Sequence, residues 1–202
     1  MNQKRFFHAF AILFFAVIIA ILPFNYFIDC FGVFHRYKNE PVALDTLNDR
    51  FVKIRYLLEE ENFKKYDSYL WGSSRVMKMD PTVVGENTYN LGVPAGMTED
   101  CLFQLQQLIS HGAKIDRIYV GLDDLSYLRI YEPIKNEFRW KSYQGNFAQD
   151  MGTYMGYLLS PSAIVNAIKN RSEHPVQTFL HSSGMLLIPD YVDNEIESDP
   201  EK

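Results

Sequence analysis

Three short segments of the chain combine glycine with side chains suited to acyl-transfer chemistry. Gly72-Ser73-Ser74-Arg75 follows one apolar run, Gly92-Val-Pro-Ala-Gly96 follows a second, and Gly121-Leu-Asp-Asp124 closes a third. A serine hydroxyl attacks a carbonyl carbon when a base takes its proton, and backbone N–H groups stabilise the oxyanion that forms. Glycine lets main chain approach that oxyanion closely because it has no side chain. These segments predict a serine-centred site if the fold brings them together.

The elements around these segments predict how they meet. Three short runs rich in aromatic and β-branched residues have the composition of buried strands: Ser68–Trp71, Thr88–Leu91 and Arg117–Leu122. A helix capped by Asp45 or Asn48 runs to about Glu61, and a second begins at its cap Thr98 and ends at Gly112. This alternation predicts an α/β fold with a parallel sheet, whose ligand site lies at the carboxyl ends of the strands.

In this order and spacing, GSSRV, YNLGVPAG and IYVGLDD resemble the first three sequence blocks of the SGNH (GDSL-type) hydrolases. The resemblance is to the membrane-anchored, DltD-like or O-acetyltransferase-associated branch of bacterial envelope proteins. It covers about Asp67 to Tyr127 and implies a three-layer, flavodoxin-like parallel sheet. It also implies Ser74 as the nucleophile and one oxyanion donor, and Gly96 as another. Asp123 falls where the family usually has the Asn of the oxyanion hole.

Two departures from the family pattern bear on activity. An ionised Asp123 accepts hydrogen bonds and repels negative charge, whereas an Asn amide donates to it. The late D-x-x-H motif that supplies the family's catalytic base does not occur in the sequence. Among the five histidines, His174 and His181 are the candidates for that role. Only three strands of the implied sheet of about five are recognisable, which indicates a domain incomplete at its C-terminus and a sheet with an unpaired edge.

Local sequence leaves simpler interpretations open. Ser73 and Ser74 also suit a turn in which a serine caps the next helix. Asp123 and Asp124 suit a turn or a helix cap, and as adjacent carboxylates they also suit acid–base chemistry or a divalent cation. Arg75 suits an anionic substrate group or a surface salt bridge. None of these patterns is a metal cluster, so no metal site is predicted.

Two hypotheses from different classes follow. The first is an envelope esterase or acyl-transfer protein that acts on ester-linked acyl groups of cell-surface polymers, with Ser74 as nucleophile. The second is a non-catalytic remnant or interaction module that is tethered to the envelope and partners other envelope proteins. The missing histidine motif and Asp123 favour the second, so the sequence leaves open whether the chain is an enzyme. It carries no cofactor signature.

The N-terminal segment predicts a membrane anchor. Phe6 to Ile28 contains no Asp, Glu, Lys or Arg, and as a helix it would be about 34 Å long. Lys4 and Arg5 precede it and Asp29 follows, so the positive-inside rule places the N-terminus in the cytoplasm and the rest of the chain outside a bacterial inner membrane. A cleaved signal peptide is the alternative, although the apolar stretch is long and no A-x-A-like site follows it.

The predicted organisation is an anchor at 1–29, a linker at 30–45 and an SGNH-like domain at 46–202. Its later part predicts helices at about 147–159 and from Ser160-Pro161 to Asn170. A net charge of -5, with acidic residues concentrated near the C-terminus, argues against nucleic acid as a partner. Two cysteines, Cys30 and Cys101, make neither a metal cluster nor a disulfide framework, and the sequence does not decide whether they pair.

Overall fold

A computed structural model describes residues 3–34, 42–43, 47–59, 61–122, 142–172 and 177–187. The described part contains five helices and six short strands, in the order α1 (Gln3–Ile28), β1 (Val42–Ala43), α2 (Asp49–Glu59), β2 (Ser68–Trp71), β3 (Thr88–Asn90), α3 (Thr98–Ser110), β4 (Arg117–Val120), α4 (Phe147–Leu158), α5 (Pro161–Ser172), β5 (Gln177–Leu180) and β6 (Leu186–Leu187). Short 3-10 helices at Asn62–Lys65 and Pro81–Val83 precede β2 and β3. The chain is therefore of the α/β class.

The three predicted strands form a parallel sheet with β2 in the middle, in the order β3-β2-β4. Tyr69 lies opposite Tyr89 on one side and Ile118 on the other. Across the sheet, the strand that comes first in the sequence therefore lies between the second and the third, which gives the order second, first, third. A separate antiparallel sheet joins β1, β5 and β6, which the sequence did not predict.

Helix ends follow the expected capping chemistry with one difference. The Asn48 side-chain oxygen accepts the Phe51 N–H at 3.2 Å and begins α2. Helix α3 starts at Thr98 as predicted, but its N-cap is Met97, whose N–H donates to the Asp100 carboxylate at 3.0 Å. Gly112 follows its C-terminus with a φ of 85°.

The main core lies on one face of the parallel sheet. Tyr69, Trp71 and Tyr89 point to this face, and side chains of both α2 and α3 pack against them. Cys101 belongs to this core, whereas Cys30 lies in a second buried cluster, and both cysteines are free. Burying such aromatic and aliphatic side chains supplies most of the stabilisation of a domain this size.

The two edges of the parallel sheet differ. Beside β3, the turn between β5 and β6 contributes the Ser183 carbonyl, which accepts the Asn90 N–H at 2.8 Å. At the other edge, Ile118 and Val120 of β4 are 44% and 46% exposed. The prediction of a buried strand is therefore wrong for β4, because α2 and α3 pack on the other strands and leave it largely exposed.

Helix α1 is long and apolar enough to cross a membrane, with mean hydropathy 2.6 in its most apolar window, none of which is buried. Immediately after it, Cys30, Phe31 and Val33 are buried, so the segment that begins the predicted linker packs into the domain. The Asp29 carboxylate accepts the N–H groups of Val33 and Phe34 at 2.7 and 2.8 Å and fixes this exit turn.

Candidate functional site

The carboxyl ends of the three parallel strands meet at one edge of the sheet. The Gly72 carbonyl, just after β2, accepts the Val93 N–H from the segment after β3 at 3.0 Å. On the other side, the Gly121 N–H donates to the Trp71 carbonyl at 2.8 Å. The first two predicted segments and the start of the third therefore lie side by side, as the strand-end rule for parallel sheets requires.

Ser73 and Ser74 occupy a tight turn that leaves β2. The Ser73 carbonyl accepts the N–H groups of Val76 and Met77 at 3.0 and 3.1 Å, so the chain coils as soon as the strand ends. Ser73 is 1% exposed, whereas Ser74 and Arg75 are exposed. Of the two hydroxyls, that of Ser74 is the one accessible to a substrate, which is the residue that the family resemblance selects.

The loop of Gly96 lies against the backbone that carries Ser74. A Cβ atom at Gly96 would lie 2.6 Å from the Gly72 carbonyl oxygen, so only glycine fits this contact. The Gly96 N–H donates to the Val93 carbonyl at 3.1 Å and closes a turn in which Ala95 has a φ of 47°. This amide is therefore engaged within its own turn and would need to reorient before it could stabilise an oxyanion.

Two buried cations of α2 bind the backbone of this loop, and they are not among the site residues predicted from the sequence. Arg50 binds both carboxylate oxygens of Asp100 at 2.9 Å and also donates to the carbonyls of Pro94 and Ala95 at 2.9 and 3.3 Å. The Lys53 ammonium donates to the Gly92 carbonyl at 2.5 Å. The signal in the sequence was their three-residue spacing, which places both on one helix face.

Burial determines the electrostatics beneath the loop. Lys53 is fully buried, which lowers its pKa to about 8, while the nearby carboxylate of Asp49 opposes that shift. Near neutral pH the loop therefore rests on a desolvated positive charge. Such a charge next to main-chain carbonyls stabilises the loop in one conformation.

Several predicted site residues lie outside the described part of the chain, namely Asp123, Asp124 and His174. His181 is described: it is exposed in the turn between β5 and β6, with its Nδ1 2.8 Å from the Ser183 hydroxyl. The hairpin also packs against the segment after Ser74, since the Leu186 N–H of β6 donates to the Met77 carbonyl at 2.9 Å. His181 is thus on the hairpin that borders this segment.

A cleft of about 440 Å³ lies at the other end of the sheet, where the strands begin. Its walls include Tyr66 and Asp67 before β2, Asn87 before β3 and Gly112 after α3. These positions are at the amino ends of the strands, away from Ser74. The cleft therefore does not coincide with the site that the three segments predict.

Comparison with models of protein families, with curated proteins and with solved structures gives no match for this chain. The fold and the candidate site define an α/β chain with one long apolar N-terminal helix.

Proposed function

We propose that the chain is a membrane-anchored, SGNH-hydrolase-like protein of the bacterial envelope, with Ser74 as the nucleophile of an esterase or acyl-transfer reaction on acylated cell-surface polymers. The observation that carries the proposal is the meeting of three strand ends at one edge of a parallel sheet. There the loop of Gly96 touches Gly72, two residues before the exposed Ser74.

The strand arrangement supports the finer fold. The order second, first, third is the beginning of the flavodoxin-like order, in which ligands bind at the carboxyl ends of the strands. The apolar length of α1, with Lys4 and Arg5 before it and Asp29 after it, supports an anchor whose N-terminus is cytoplasmic. The domain then lies on the outer face, where cell-surface polymers are the available substrates.

A second candidate is a non-catalytic remnant or interaction module tethered at the same place. It is favoured by a specific observation, the donation of the Gly96 N–H to Val93 inside its own turn. Asp123 in place of an amide donor and the missing D-x-x-H motif favour it as well.

A fluorophosphonate probe separates the two candidates because it reacts only with an activated serine hydroxyl. If the proposal is right, the full chain in detergent is labelled, and Ser74→Ala abolishes the label. Ser110→Ala is the matched control, since Ser110 is also exposed but lies at the end of α3, near the other edge of the sheet. Its labelling should equal that of the wild type.

Two outcomes would contradict the catalytic proposal. Absence of labelling at any serine would leave the tethered interaction module. Labelling that persists in Ser74→Ala would place an activated serine elsewhere in the chain.

A further inference from the structure

Helix α4 exposes a continuous apolar stripe. Its members recur every four residues and therefore share one side of the helix: Phe147, Met151, Met155 and, directly after the helix, Leu159. The only charged residue of α4 is Asp150, which is 2% exposed. The exposed surface of this helix therefore carries no charge.

The domain core does not account for this stripe. Helix α4 contacts the domain through another face, on which Tyr154 and Tyr157 pack against the ring of Phe51. Asp150 of the same face accepts the Gln144 N–H at 2.9 Å. The following helix, α5, also buries one face, at Ala163 and Ala167, while Val165 and Ile168 are exposed. Helix α4 thus has a core-facing side and a separate apolar side in solvent, whereas on α5 the exposed Val165 and Ile168 lie beside the exposed Lys169.

The end of α4 is fixed to the outer end of α1. The Asn25 side-chain amide donates to the carbonyls of Leu158 and Ser160 at 2.8 and 3.3 Å, and so satisfies carbonyls at the C-terminus of α4. Asn25 is the one buried residue of α1, and Ile21 and Leu22 beside it are half-buried. Helix α1 contacts both α4 and α5.

This contact fixes the depth of the helix pair. Asn25 is three residues from the end of α1, which is about 4.5 Å along the helix axis. If α1 spans a bilayer, the C-terminus of α4 is therefore at the outer boundary of the hydrocarbon. Leu159, the stripe residue between the two carbonyls that Asn25 binds, then lies at this boundary, and Met155 is about one turn of helix from it.

From this geometry we propose that α4 and α5 form a second membrane contact, in which their apolar sides lie in the outer interface of the bilayer beside α1. An apolar helix side that adjoins a spanning helix fits the lipid interface, where apolar side chains enter the region between headgroups and acyl chains and a long side chain such as that of Lys169 extends to the headgroups. The inference rests on the membrane anchorage in the proposed function, and it does not depend on Ser74 being catalytic.

The test uses single cysteines that carry a polarity-sensitive fluorophore in the full chain. The chain is reconstituted in vesicles of phosphatidylethanolamine and phosphatidylglycerol that contain phosphatidylcholine spin-labelled near the top of its acyl chains. Met155→Cys reports on the stripe, and Ile19→Cys reports on the anchor. Met79→Cys is the matched control, because Met79 is 41% exposed and Met155 is 40% exposed, but Met79 follows β2.

The native cysteines should not interfere. Burial raises the pKa of the Cys30 thiol to about 12 and that of Cys101 to about 11, so neither forms the reactive thiolate near neutral pH. If the inference is right, the spin-labelled lipid removes most of the emission at positions 155 and 19 and leaves that at 79 nearly unchanged. Adding Met151→Glu to the Met155→Cys chain should reduce quenching at 155 and leave quenching at 19 intact.

The possible results separate the inference from the anchorage. Quenching at 19 with none at 155 would overturn the inference and retain the anchor, which would leave the stripe for a protein partner. Quenching at 155 with none at 19 would remove the spanning helix and would overturn the inference with it, because the depth of α4 is set by α1. Absence of quenching at both positions would overturn both.

Discussion

At the scale of single residues, two buried positive charges of α2 contact one loop. Arg50 and Lys53 both contact carbonyl groups of the segment from Gly92 to Ala95, which adjoins the turn of Ser74. Breaking a buried, hydrogen-bonded ion pair commonly costs several kcal/mol because the remaining charge loses its partner. The buried cations therefore act on the loop of the candidate site, where a functional geometry requires one fixed backbone conformation.

Lys53 predicts a dependence of stability on pH. Its pKa is about 8 in the folded chain against 10.5 ordinarily. Between these values the unfolded chain binds more protons, so this group makes the free energy of unfolding rise as the pH increases from about 8 towards 10.5. Below about pH 8 both states are protonated and the burial cost is fully present. One pKa unit is about 1.4 kcal/mol, so the full change is about 3 kcal/mol.

The measurement compares the wild type with Lys53→Met, a neutral side chain of similar length, in detergent at pH about 7.5 and about 9.5. The stability of the wild type relative to the variant should be higher at the upper pH. Buried tyrosine and cysteine groups titrate with the opposite sign, but they are present in both chains and cancel in the difference. A difference that stays constant with pH would contradict a desolvated Lys53.

At the scale of elements, the sequence predicted those parts whose signals are local. The three parallel strands were visible because two aromatic and β-branched runs end abruptly at Gly72 and Gly92 and the third is followed by Asp123. The third strand was predicted to extend to Leu122, whereas β4 ends at Val120. Helix α5 was predicted from its Ser160-Pro161 start, and a helix over about 147–159 was predicted where α4 lies. The strand-end rule then predicted which segments would adjoin, and the contact between Gly96 and Gly72 agrees with it.

What the sequence could not predict depends on tertiary contacts. Strand β6 has only two residues, and β5 pairs antiparallel with it and with β1, so neither belongs to the alternation of strands and helices that made the parallel strands recognisable. The turn between them is recognisable only by its contact with β3. Asn25 resembles an interfacial amide until the C-terminus of α4 is placed next to it. The turn that engages the Gly96 N–H depends on the φ of Ala95, which residue type alone does not indicate.

The turn between β5 and β6 gives a prediction with a matched control. Gly184 and Gly112 have φ values of 82° and 85°, so alanine at either should cost about 1–2 kcal/mol for the left-handed backbone. A Cβ at Gly184 would also lie 2.3 Å from the Asn90 carbonyl oxygen, whereas a Cβ at Gly112 has no neighbour within 4 Å. Gly184→Ala should therefore destabilise the chain by roughly a further 1–3 kcal/mol.

Chemical unfolding of both variants in detergent measures this difference. Amide exchange at Asn90 provides a local readout, because its N–H donates to Ser183 of the same turn. It should accelerate in Gly184→Ala and not in Gly112→Ala. Equal destabilisation by the two variants would mean that the turn at Gly184 is not in close contact with Asn90 of β3.

At the scale of the whole molecule, orientation across the membrane is the property to test. Lys4 and Arg5 before α1 predict a cytoplasmic N-terminus and an outer domain. In bacterial spheroplasts, a membrane-impermeant maleimide should therefore label Val83→Cys, because Val83 is 76% exposed in the domain. Lys4→Cys, at the other end of α1, should be labelled only after the membrane is disrupted. The reverse pattern would place the domain in the cytoplasm.

The hydrogen bonds of Asn25 limit how far the domain can move relative to the membrane. A domain joined to its transmembrane helix by a flexible linker adopts many tilts and many distances from the membrane. It can therefore contact polymers at any distance that the linker allows. Here α1 is fixed to the domain at two places: by Asn25 at the end of α4, and by the buried turn after Ile28. In a bilayer, the end of the sheet that carries Ser74 would be held at one height above the membrane, so the acylated polymer that we propose as substrate would have to extend to that height.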